Sequence, residues 1–380
     1  MRKLRVLVAM HDVLVPPEGA EKLPASETWT YQMELEVVKT LRELGHDVRV
    51  LGVGDELRPV RDACAEWQPH VVFNILTDFH DVVTYEAHFV SYLELLKQPY
   101  TGCNPRGIVF AGDKAMSKQI LSWHRIPCPA FAVFPLRTKK ARLPARMKFP
   151  VIVKSAVQHG SAGISQASVV HDDQELAERV EFLHRTLQTT VVAEQFLQGR
   201  ELTVSILGNE RLEVMPIWEL WFDKLPERSE AIATSRVKWD VRYQKRIGLQ
   251  TGRARDLGKD LEDRIVRICK RTYRALDLSG YARIDLRLDT EGRPYVIEAN
   301  VNSDLSPGED FPESAQAAGL DYGQLLQRIL NVGINYKPAW MREGTSFVAQ
   351  GTDRAHARRT PRRVDAEHDA GQARDAHRDG

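Results

Sequence analysis

Apolar and polar positions in the first part of the chain follow the two spacings expected of strands and helices. Short apolar runs have the length of buried strands, and the stretches between them carry apolar residues three and four positions apart. The pattern predicts strand, helix, strand, helix and strand at residues 4–10, 33–45, 47–53, 60–67 and 70–76. Such alternation indicates a parallel sheet with ligands at the carboxyl ends of its strands. The loop from His11 to about Thr30 is long for this unit, which is typical of a functional loop.

A second region, from about Asp113 onward, has a different order of elements. It predicts a helix that ends at the prolines after Ile126 and a hairpin that turns at Gly208 and Asn209. The other predicted elements are strands at 149–155 and 189–197, a helix between them at 172–187, a helix at 261–277 and a second hairpin at 281–300. From about Thr345 the chain loses its apolar residues, which predicts a disordered tail.

Composition narrows the class of protein. A chain of 380 residues that is 43% hydrophobic can bury a sizeable core in two or three domains. Its 53 basic and 52 acidic residues nearly cancel, so no overall field favours nucleic acid or an anionic membrane. No apolar run approaches the roughly 20 residues that span a bilayer, and the N-terminus does not resemble a signal peptide, so we expect a cytoplasmic protein. The cysteines lack a CxxC pair and are expected to be buried thiols.

The hairpin at 281–300 places acidic residues face to face. We put its turn at Glu291 and Gly292. Directly opposed residues share a face, so one face of the hairpin is polar and holds Arg283, Asp285, Glu298 and Asn300. The other face is apolar, includes Ile297 and is assigned to the core. The polar face is therefore expected to line a cleft.

Two carboxylates about 5 Å apart repel each other unless a cation or a proton lies between them. A divalent metal would remove this repulsion. Carboxylate and amide oxygens favour Mg²⁺ or Mn²⁺ over zinc, and Mg²⁺ usually shares such sites with nucleotide phosphates. The alternative is a surface ladder of ion pairs, in which Arg283 and Arg287 neutralise the acids. The spacing alone leaves both interpretations open.

The order of four segments along the chain adds information that the spacing within the hairpin does not give. The hairpin has the pattern R-x-D, twelve residues, then E-x-N, in "RIDLRLDTEGRPYVIEAN". It is preceded by "DKAMSKQILSWHRIPCP", "FPVIVKSAVQHGSAGIS" and "VVAEQFLQGRELTVSILG". Together these segments resemble the ATP-grasp superfamily and, within it, the D-alanine-D-alanine ligase-like branch. The resemblance covers about residues 1–335 and implies an α/β protein with a Rossmann-like N-terminal domain followed by a two-lobed ATP-grasp domain.

The resemblance also implies a nucleotide site. Lys114 and Lys154 would contact the α and β phosphates as point charges, and Lys238 would be a further phosphate ligand. A glycine loop with Gly160, Ser161 and Gly163 would close over the phosphates. Glu201 would contact the ribose hydroxyls. The implied contacts to the adenine are Glu194, Gln195, Phe196 and Leu197.

The implied chemistry is ATP-dependent ligation of a carboxylate to an amine. ATP phosphorylates the carboxylate, the amine attacks the acyl phosphate, and ADP and phosphate are released. The resemblance implies ATP and two Mg²⁺ or Mn²⁺ ions, held by Asp285, Glu298 and Asn300. Arg283 would stabilise the oxyanion of the tetrahedral intermediate. The expected partners are small-molecule carboxylate and amine substrates, without nucleic acid or membrane; the oligomeric state is open, with a homodimer as one option by analogy.

The sequence departs from this family where substrates are contacted. The first domain lacks the family's glycine-rich H-G-x-x-G-E-D-G segment, and after Asn300 the chain continues as "VNSDLSPGEDFPESA" and not as a Pro-Gly-Met stretch. Four acidic residues follow Asn300, namely Asp304, Glu309, Asp310 and Glu313. Carboxylates would oppose the binding of a substrate carboxylate. We therefore expect a larger or cationic amine as the acceptor, unless these acids face solvent.

The expected division follows from these motifs. It places an N-terminal Rossmann-like domain at 1–108, a small lobe with the glycine loop at 109–196, a C-terminal lobe with the metal hairpin at 197–342 and a disordered tail at 343–380. Two other functions stay open. One is an ATP-grasp enzyme with a different acceptor, such as a thiol or biotin. The other is a nucleotide-binding scaffold without turnover, which the presence of all four polar hairpin residues disfavours.

Overall fold

The computed structural model describes residues 3–158, 163–226, 230–232, 234–338 and 341. Met1–Tyr336 form one compact unit, which contains every strand and helix named below. A second unit, Lys337–Gly380, is described only at residues 337, 338 and 341. The predicted disordered tail therefore lies outside the described residues.

The chain begins with a parallel sheet covered on both faces. Its strands are in the order β2–β1–β3, and β1 pairs in parallel with both neighbours. The elements of this region are β1 (Arg5–His11), α1 (Ala25–Thr28), α2 (Gln32–Glu43), β2 (Asp47–Val53), α3 (Arg58–Trp67), β3 (Val71–Asn74) and α4 (Glu86–Leu95). Leu7 of β1 packs in the cluster that includes Val60 of α3, whereas Val8 packs in the cluster that includes Val38 of α2. The predicted parallel sheet is confirmed, and its central strand is apolar throughout because both faces are buried.

The next region is an antiparallel sheet in the order β4–β7–β5–β6. Its elements are α5 (Pro105–Gly112), α6 (Lys114–Trp123), β4 (Phe131–Phe134), β5 (Val151–Ser155), β6 (Val169–Val170), α7 (Asp173–Leu187) and β7 (Val191–Gln195). Leu176, Val180 and Leu183 of α7 pack against Val151 and Val153 of β5 in a separate core cluster. This sheet therefore has a core of its own.

The largest sheet follows, in the order β11–β10–β8–β12–β13, with β9 paired to β8. Its elements are β8 (Gly199–Leu207), β9 (Glu213–Val214), β10 (Trp218–Phe222), α8 (Ser235–Trp239), α9 (Val241–Ile247), β11 (Leu249–Arg253), α10 (Lys259–Ala275), β12 (Tyr281–Asp289), β13 (Pro294–Val301), α11 (Asp310–Ala317) and α12 (Tyr322–Ile334). One face of the sheet packs with α10 through residues such as Val204, Ile284 and Ile268. The opposite face carries the polar side chains described below.

Short 3₁₀ helices complete the secondary structure, at Asp12–Leu14, Ala20–Lys22, Trp29–Tyr31, Val83–Tyr85 and Gln166–Ser168. Within the described ranges no helix is long and apolar enough to cross a membrane. The cysteines Cys64, Cys103, Cys128 and Cys269 are all free, as predicted, although Cys64 and Cys128 are only partly buried.

The predicted end of the helix, at the prolines after Ile126, was wrong. Helix α6 ends at Trp123, well before the first proline. Arg125 has φ 52°, and the Ile126 amide donates a hydrogen bond to the Leu121 carbonyl. This is the hydrogen bond of a Schellman-type helix end, which closes the helix through a left-handed residue. The helix is stopped by this local motif and not by proline.

The hairpin β12–β13 contains an irregularity that alternation could not predict. Asp285 pairs with Glu298, as predicted, but Leu286 pairs with Val296, so Ile297 is an extra residue in β13. The turn is also one residue longer than predicted, since the Asp289 amide donates to the Arg293 carbonyl and leaves three residues between them. The longer turn shifts the pairing of the two strands by one residue, and the bulge shifts it back. Asp285 and Glu298 are therefore paired as predicted. The assignment of Ile297 to the core face was wrong: Ile297 lines the cleft beside Glu298.

Candidate active site

The polar face of the large sheet brings together side chains from three strands. Arg283 lies opposite Asn300, and Asp285 opposite Glu298, across β12 and β13. On the other side of β12, the partners of Arg283 and Asp285 are Ser205 and Thr203 of β8. Opposed residues of neighbouring strands project from the same face. The sheet therefore carries two carboxylates within a row of polar side chains.

Asp285 is the centre of this row. The Arg283 guanidinium contacts both of its oxygens, at 2.8 and 3.0 Å, and the Asn300 side-chain amide donates to Oδ2 at 2.9 Å. Burial opposes the charge of Arg283, but Asp285, Asp310 and Glu298 outweigh it and raise the pKa of the guanidinium. Asp285 is 15% exposed and Glu298 24% exposed, so the residues are not a surface ladder, although Arg283 does neutralise Asp285.

Two lysines from the small sheet region approach these carboxylates. Lys114 is in the first turn of α6, whose N-terminus is capped by the Asp113 side chain. Its ammonium donates to the Gln158 carbonyl at 2.8 Å and lies 3.4 Å from Glu298 Oε2. Lys154, in β5, is 2.8 Å from Glu194 Oε1. Burial lowers the pKa of Lys154, but Glu194 and Glu298 together outweigh it, so the pKa is raised and the group stays charged.

Most of these side chains line one cleft of about 760 Å³, part of which is open to solvent. Lys114 is not among the lining residues, but it contacts Glu298, which is. The predicted nucleotide-site residues that line the cleft are Lys154, Glu194, Gln195, Phe196, Leu197, Glu201 and Lys238. The metal-site residues Asp285 and Glu298 also line it, and Arg283 and Asn300 reach it through Asp285. Gly163 has φ 71° and precedes the lining residue Ile164. Gly160 and Ser161 lie outside the described residues.

The walls of the cleft differ in chemistry. Apolar side chains from Ile152, Phe196 and Ile232 form part of the lining. Glu201 lies 3.5 Å from Arg287, and burial raises its pKa in spite of that contact. An apolar wall suits a planar base, whereas the lysines and carboxylates suit phosphates with their metal ions.

The sequence analysis missed Lys118, which is fully buried beside the cleft. Its ammonium lies 3.1 Å from Glu194 Oε2 and donates to the Ile297 carbonyl at 2.8 Å. Glu194, the predicted adenine contact, thus has its carboxylate between Lys118 and Lys154. The signal that could have found Lys118 is its position four residues after Lys114, which places the two lysines on one helix face.

Some of the acidic residues that follow Asn300 lie at the site. Asp310 lies 3.7 Å from Arg283 and accepts a hydrogen bond from Thr203 at 3.4 Å. Burial, Asp304 and Asp310 raise the pKa of Glu309, which begins α11 as its N-cap. Asp304 itself is exposed and accepts hydrogen bonds from the backbone and hydroxyl of Ser306. Asp310 therefore belongs to the polar row, and Asp304 lies at its rim.

Comparisons with known proteins identify the family of the chain. The family described as the C-terminal part of D-ala D-ala ligase matches residues 124–331. A D-alanine-D-alanine ligase of Bordetella pertussis is 31% identical over 239 residues, covering 63% of this chain and 71% of the relative. An uncharacterised protein of Sinorhizobium fredii is 28% identical over 304 residues, or 78% of this chain and 85% of the relative.

Solved structures show the same fold. The D-alanine-D-alanine ligase of Bacillus anthracis in complex with ATP has a TM-score of 0.64 and 23% identity, over 87% of this chain and 97% of that one. The D-Ala:D-Ser ligase VanG of Enterococcus faecalis has a TM-score of 0.64 and 17% identity, over 87% of this chain and 99% of that one.

The fold and the lysine- and carboxylate-lined cleft define an ATP-grasp protein, and the predicted α/β class is confirmed. The chain belongs to the D-alanine-D-alanine ligase family. The predicted enzyme class, ATP-dependent ligases that form carbon–nitrogen bonds, is confirmed. The family uses ATP and Mg²⁺.

Proposed function

We propose that the protein joins a small-molecule carboxylate to an amine, through an acyl phosphate made with ATP. The observation that carries the proposal is the meeting of Asp285 and Glu298 with Lys114 and Lys154 around one cleft. Transfer of a phosphoryl group needs metal ions that bridge the phosphates and cations that hold them in place. Carboxylates of the large sheet and lysines of the small-sheet region are both present at the cleft.

Asp285, Glu298 and Asn300 are proposed as the metal ligands, for two Mg²⁺ or Mn²⁺ ions. Their carboxylate and amide oxygens are the donors that these ions prefer. Held there, the ions would neutralise negative charge on the transferred phosphoryl group. Arg283, which now compensates Asp285, would also stabilise negative charge on the tetrahedral intermediate.

The nucleotide contacts are proposed from the lining of the cleft. Lys114, Lys154 and Lys238 would hold phosphates, and the glycine loop with Gly160, Ser161 and Gly163 is proposed to offer them backbone N–H groups. Phe196 and Leu197 line the apolar wall that would receive the adenine. Glu201, in β8, would accept hydrogen bonds from the ribose hydroxyls. The carboxylate of Glu194 is held by lysines, so we assign the adenine contact at that residue to its backbone.

We also propose the domain division into 1–108, 109–196 and 197–342. Each range contains one of the sheets, β1–β3, β4–β7 and β8–β13 respectively, which supports the division. A cleft between the second and third ranges is where an ATP-grasp protein would hold its nucleotide.

The acceptor is proposed to be a cationic amine, such as a diamine or a basic amino acid. Asp310 lies beside Arg283, and burial raises the pKa of both Glu309 and Asp310. A positive group on the acceptor would offset the cost of burying these carboxylates, whereas a second carboxylate would add to it.

An ADP-release assay tests the function. The purified chain is supplied with ATP, Mg²⁺ and a panel of amino acids of both hands, diamines and small peptides. Release that depends on a carboxylate and an amine supports the ligase. Tight ATP binding without turnover across the panel would instead favour a scaffold, and equal turnover with D-alanine alone and with any basic amine would contradict the proposed acceptor.

A matched pair of variants tests the site. Glu298→Gln removes a proposed metal ligand and is expected to lower ADP release by about a hundredfold or more, since charge stabilisation at the phosphates is lost. Glu291→Gln makes the same chemical change on the exposed turn of the hairpin, where the side chain is 67% exposed, and should leave ADP release unchanged. Equal activity of the two variants would contradict the metal site.

A further inference from the structure

Lys118 is a fully buried lysine near the cleft to which the proposed chemistry assigns no role. Its side chain is 0% exposed, in the middle of α6 and one turn after Lys114. An ammonium group that is removed from water costs several kcal/mol unless partners replace the hydration. Its partners therefore indicate what the residue is for.

The two contacts of Lys118 join two parts of the site. One is with Glu194 Oε2 of β7, at 3.1 Å, in the strand that leads to the proposed adenine wall. The other is a hydrogen bond of 2.8 Å to the carbonyl of Ile297, the extra residue of β13. Lys118 thus connects the strand beside the adenine wall with the residue immediately before the proposed metal ligand Glu298.

The bulge at Ile297 decides which way Glu298 points. The turn of the hairpin sets a register in which Leu286 pairs with Val296. Continued without an extra residue, that register would place Ile297, and not Glu298, opposite Asp285, and Glu298 would project from the other face. The bulge therefore brings Glu298 to the cleft beside Asp285.

The bulge lies on an edge strand, so no further strand holds it. β13 is the last strand of the large sheet. Its outer edge is instead held from the segment that contains α6: the Val296 amide donates to the Pro127 carbonyl at 2.8 Å, and the Ile297 carbonyl accepts from Lys118. Of these two contacts, the one from Lys118 reaches the bulged residue itself.

The charges around Lys118 do not form a simple ion pair. Glu194 already has a partner in Lys154, at 2.8 Å, so Lys118 adds a second cation to one carboxylate. Burial lowers the pKa of Lys118, with Glu194 opposing and Lys154 adding to the effect. Burial and Lys154 therefore both disfavour the charged form of Lys118. Stabilisation by the charge alone does not explain why a lysine is at this position.

We infer that Lys118 is a positioning residue, whose ammonium fixes the bulged carbonyl of Ile297 so that Glu298 faces the metal site. The inference rests on the proposed function, because it takes Glu298 to be a metal ligand. It separates two properties that usually change together: loss of Lys118 should weaken metal binding more than it weakens the fold.

The test is Lys118→Met, which keeps the length of the side chain and removes the charge and the hydrogen bond. Bound Mn²⁺ is measured by electron paramagnetic resonance in the presence of a non-hydrolysable ATP analogue, and binding of the analogue without metal is measured by calorimetry. We expect Mn²⁺ affinity to fall about tenfold or more, as for other residues that orient metal ligands. Metal-free binding of the analogue should change by less than about threefold, because Lys114 and Lys154 remain.

Three results would overturn the inference: unchanged Mn²⁺ affinity, an equal loss of metal-dependent and metal-free binding, or the same loss in Gln119→Met, which alters the exposed neighbour on α6. If Lys118→Met does not fold, Lys118→Leu, which also leaves the Glu194–Lys154 pair in place, is read by the same criteria. If the unaltered protein binds no Mn²⁺ with the analogue, the proposed metal site fails and the inference fails with it, a result distinct from failure of Lys118 alone.

Discussion

The ammonium of Lys114 lies 3.4 Å from Glu298 Oε2, so a lysine at the start of α6 and a carboxylate of the last strand meet at the cleft. Lys114 also donates to the Gln158 carbonyl at 2.8 Å, so its ammonium has a partner in the small-sheet region as well as in the large sheet. The contact joins the proposed phosphate-binding lysine to the proposed metal ligand.

Lys114→Met should lower the affinity for ATP with Mg²⁺ by about tenfold or more, because a hydrogen bond to a charged group contributes roughly 1.5–3 kcal/mol. The measurement is nucleotide binding by calorimetry. Lys140→Met is the matched control, since Lys140 is an exposed lysine in the loop between β4 and β5. An equal effect of the two substitutions would show that Lys114 does not contact the nucleotide.

Glu194→Gln should destabilise the protein by about 3 kcal/mol or more, because it leaves the buried ammonium groups of Lys118 and Lys154 without their shared carboxylate. The measurement is the free energy of unfolding in denaturant. Lys118→Met, by contrast, leaves a balanced pair and should cost far less. A larger loss for Lys118→Met than for Glu194→Gln would contradict this account of the charges.

The stability of the protein should fall as pH rises because of Glu86. Burial raises the pKa of Glu86 from 4.5 to about 8, and the side chain accepts a hydrogen bond from Asn302 at 2.6 Å. The folded state therefore binds the proton more tightly than the unfolded state. The stabilisation is complete below about pH 4.5 and is lost as the pH rises through about 8, at a slope of about 1.4 kcal/mol per pH unit for one proton.

Glu86→Gln tests this, since the amide oxygen can still accept from Asn302 but cannot ionise. We expect the variant to be more stable than the unaltered protein at pH 8 and similar to it at pH 5, in unfolding experiments at both values. The same difference at both pH values would rule out titration of Glu86 as the cause.

Gly102 should be intolerant of a side chain. It has φ +92°, and an added Cβ would lie 2.3 Å from Oδ1 of Asn302, the atom that accepts the Cys103 amide. Gly319 has a similar φ of +88° but open space around the Cβ position. Gly319→Ala should therefore cost about 1 kcal/mol from the backbone alone, and Gly102→Ala clearly more, in the free energy of unfolding. Equal costs would show that the crowding at Asn302 is relieved without strain.

Much of this architecture could be predicted because its causes are local. Short apolar runs located the strands of the first sheet. The pairing of Asp285 with Glu298 was predicted from the spacing of a hairpin, and it holds because the longer turn and the extra residue offset each other. The end of α6 was missed because it depends on Arg125 in the left-handed conformation. Glycine or asparagine is the usual residue in that conformation, so an arginine gives no sequence signal for it.

The sequence by itself determined which residues are polar on the hairpin, which lysines precede it and which superfamily the order of motifs resembles. Only the tertiary structure decided that Ile297 is an extra residue on the cleft side and that Lys118 holds its carbonyl. The physical reason is that a bulge on an edge strand depends on what packs against that edge, and the lysine that does so comes from a distant helix. The periodicity of apolar residues along the chain does not predict such a contact.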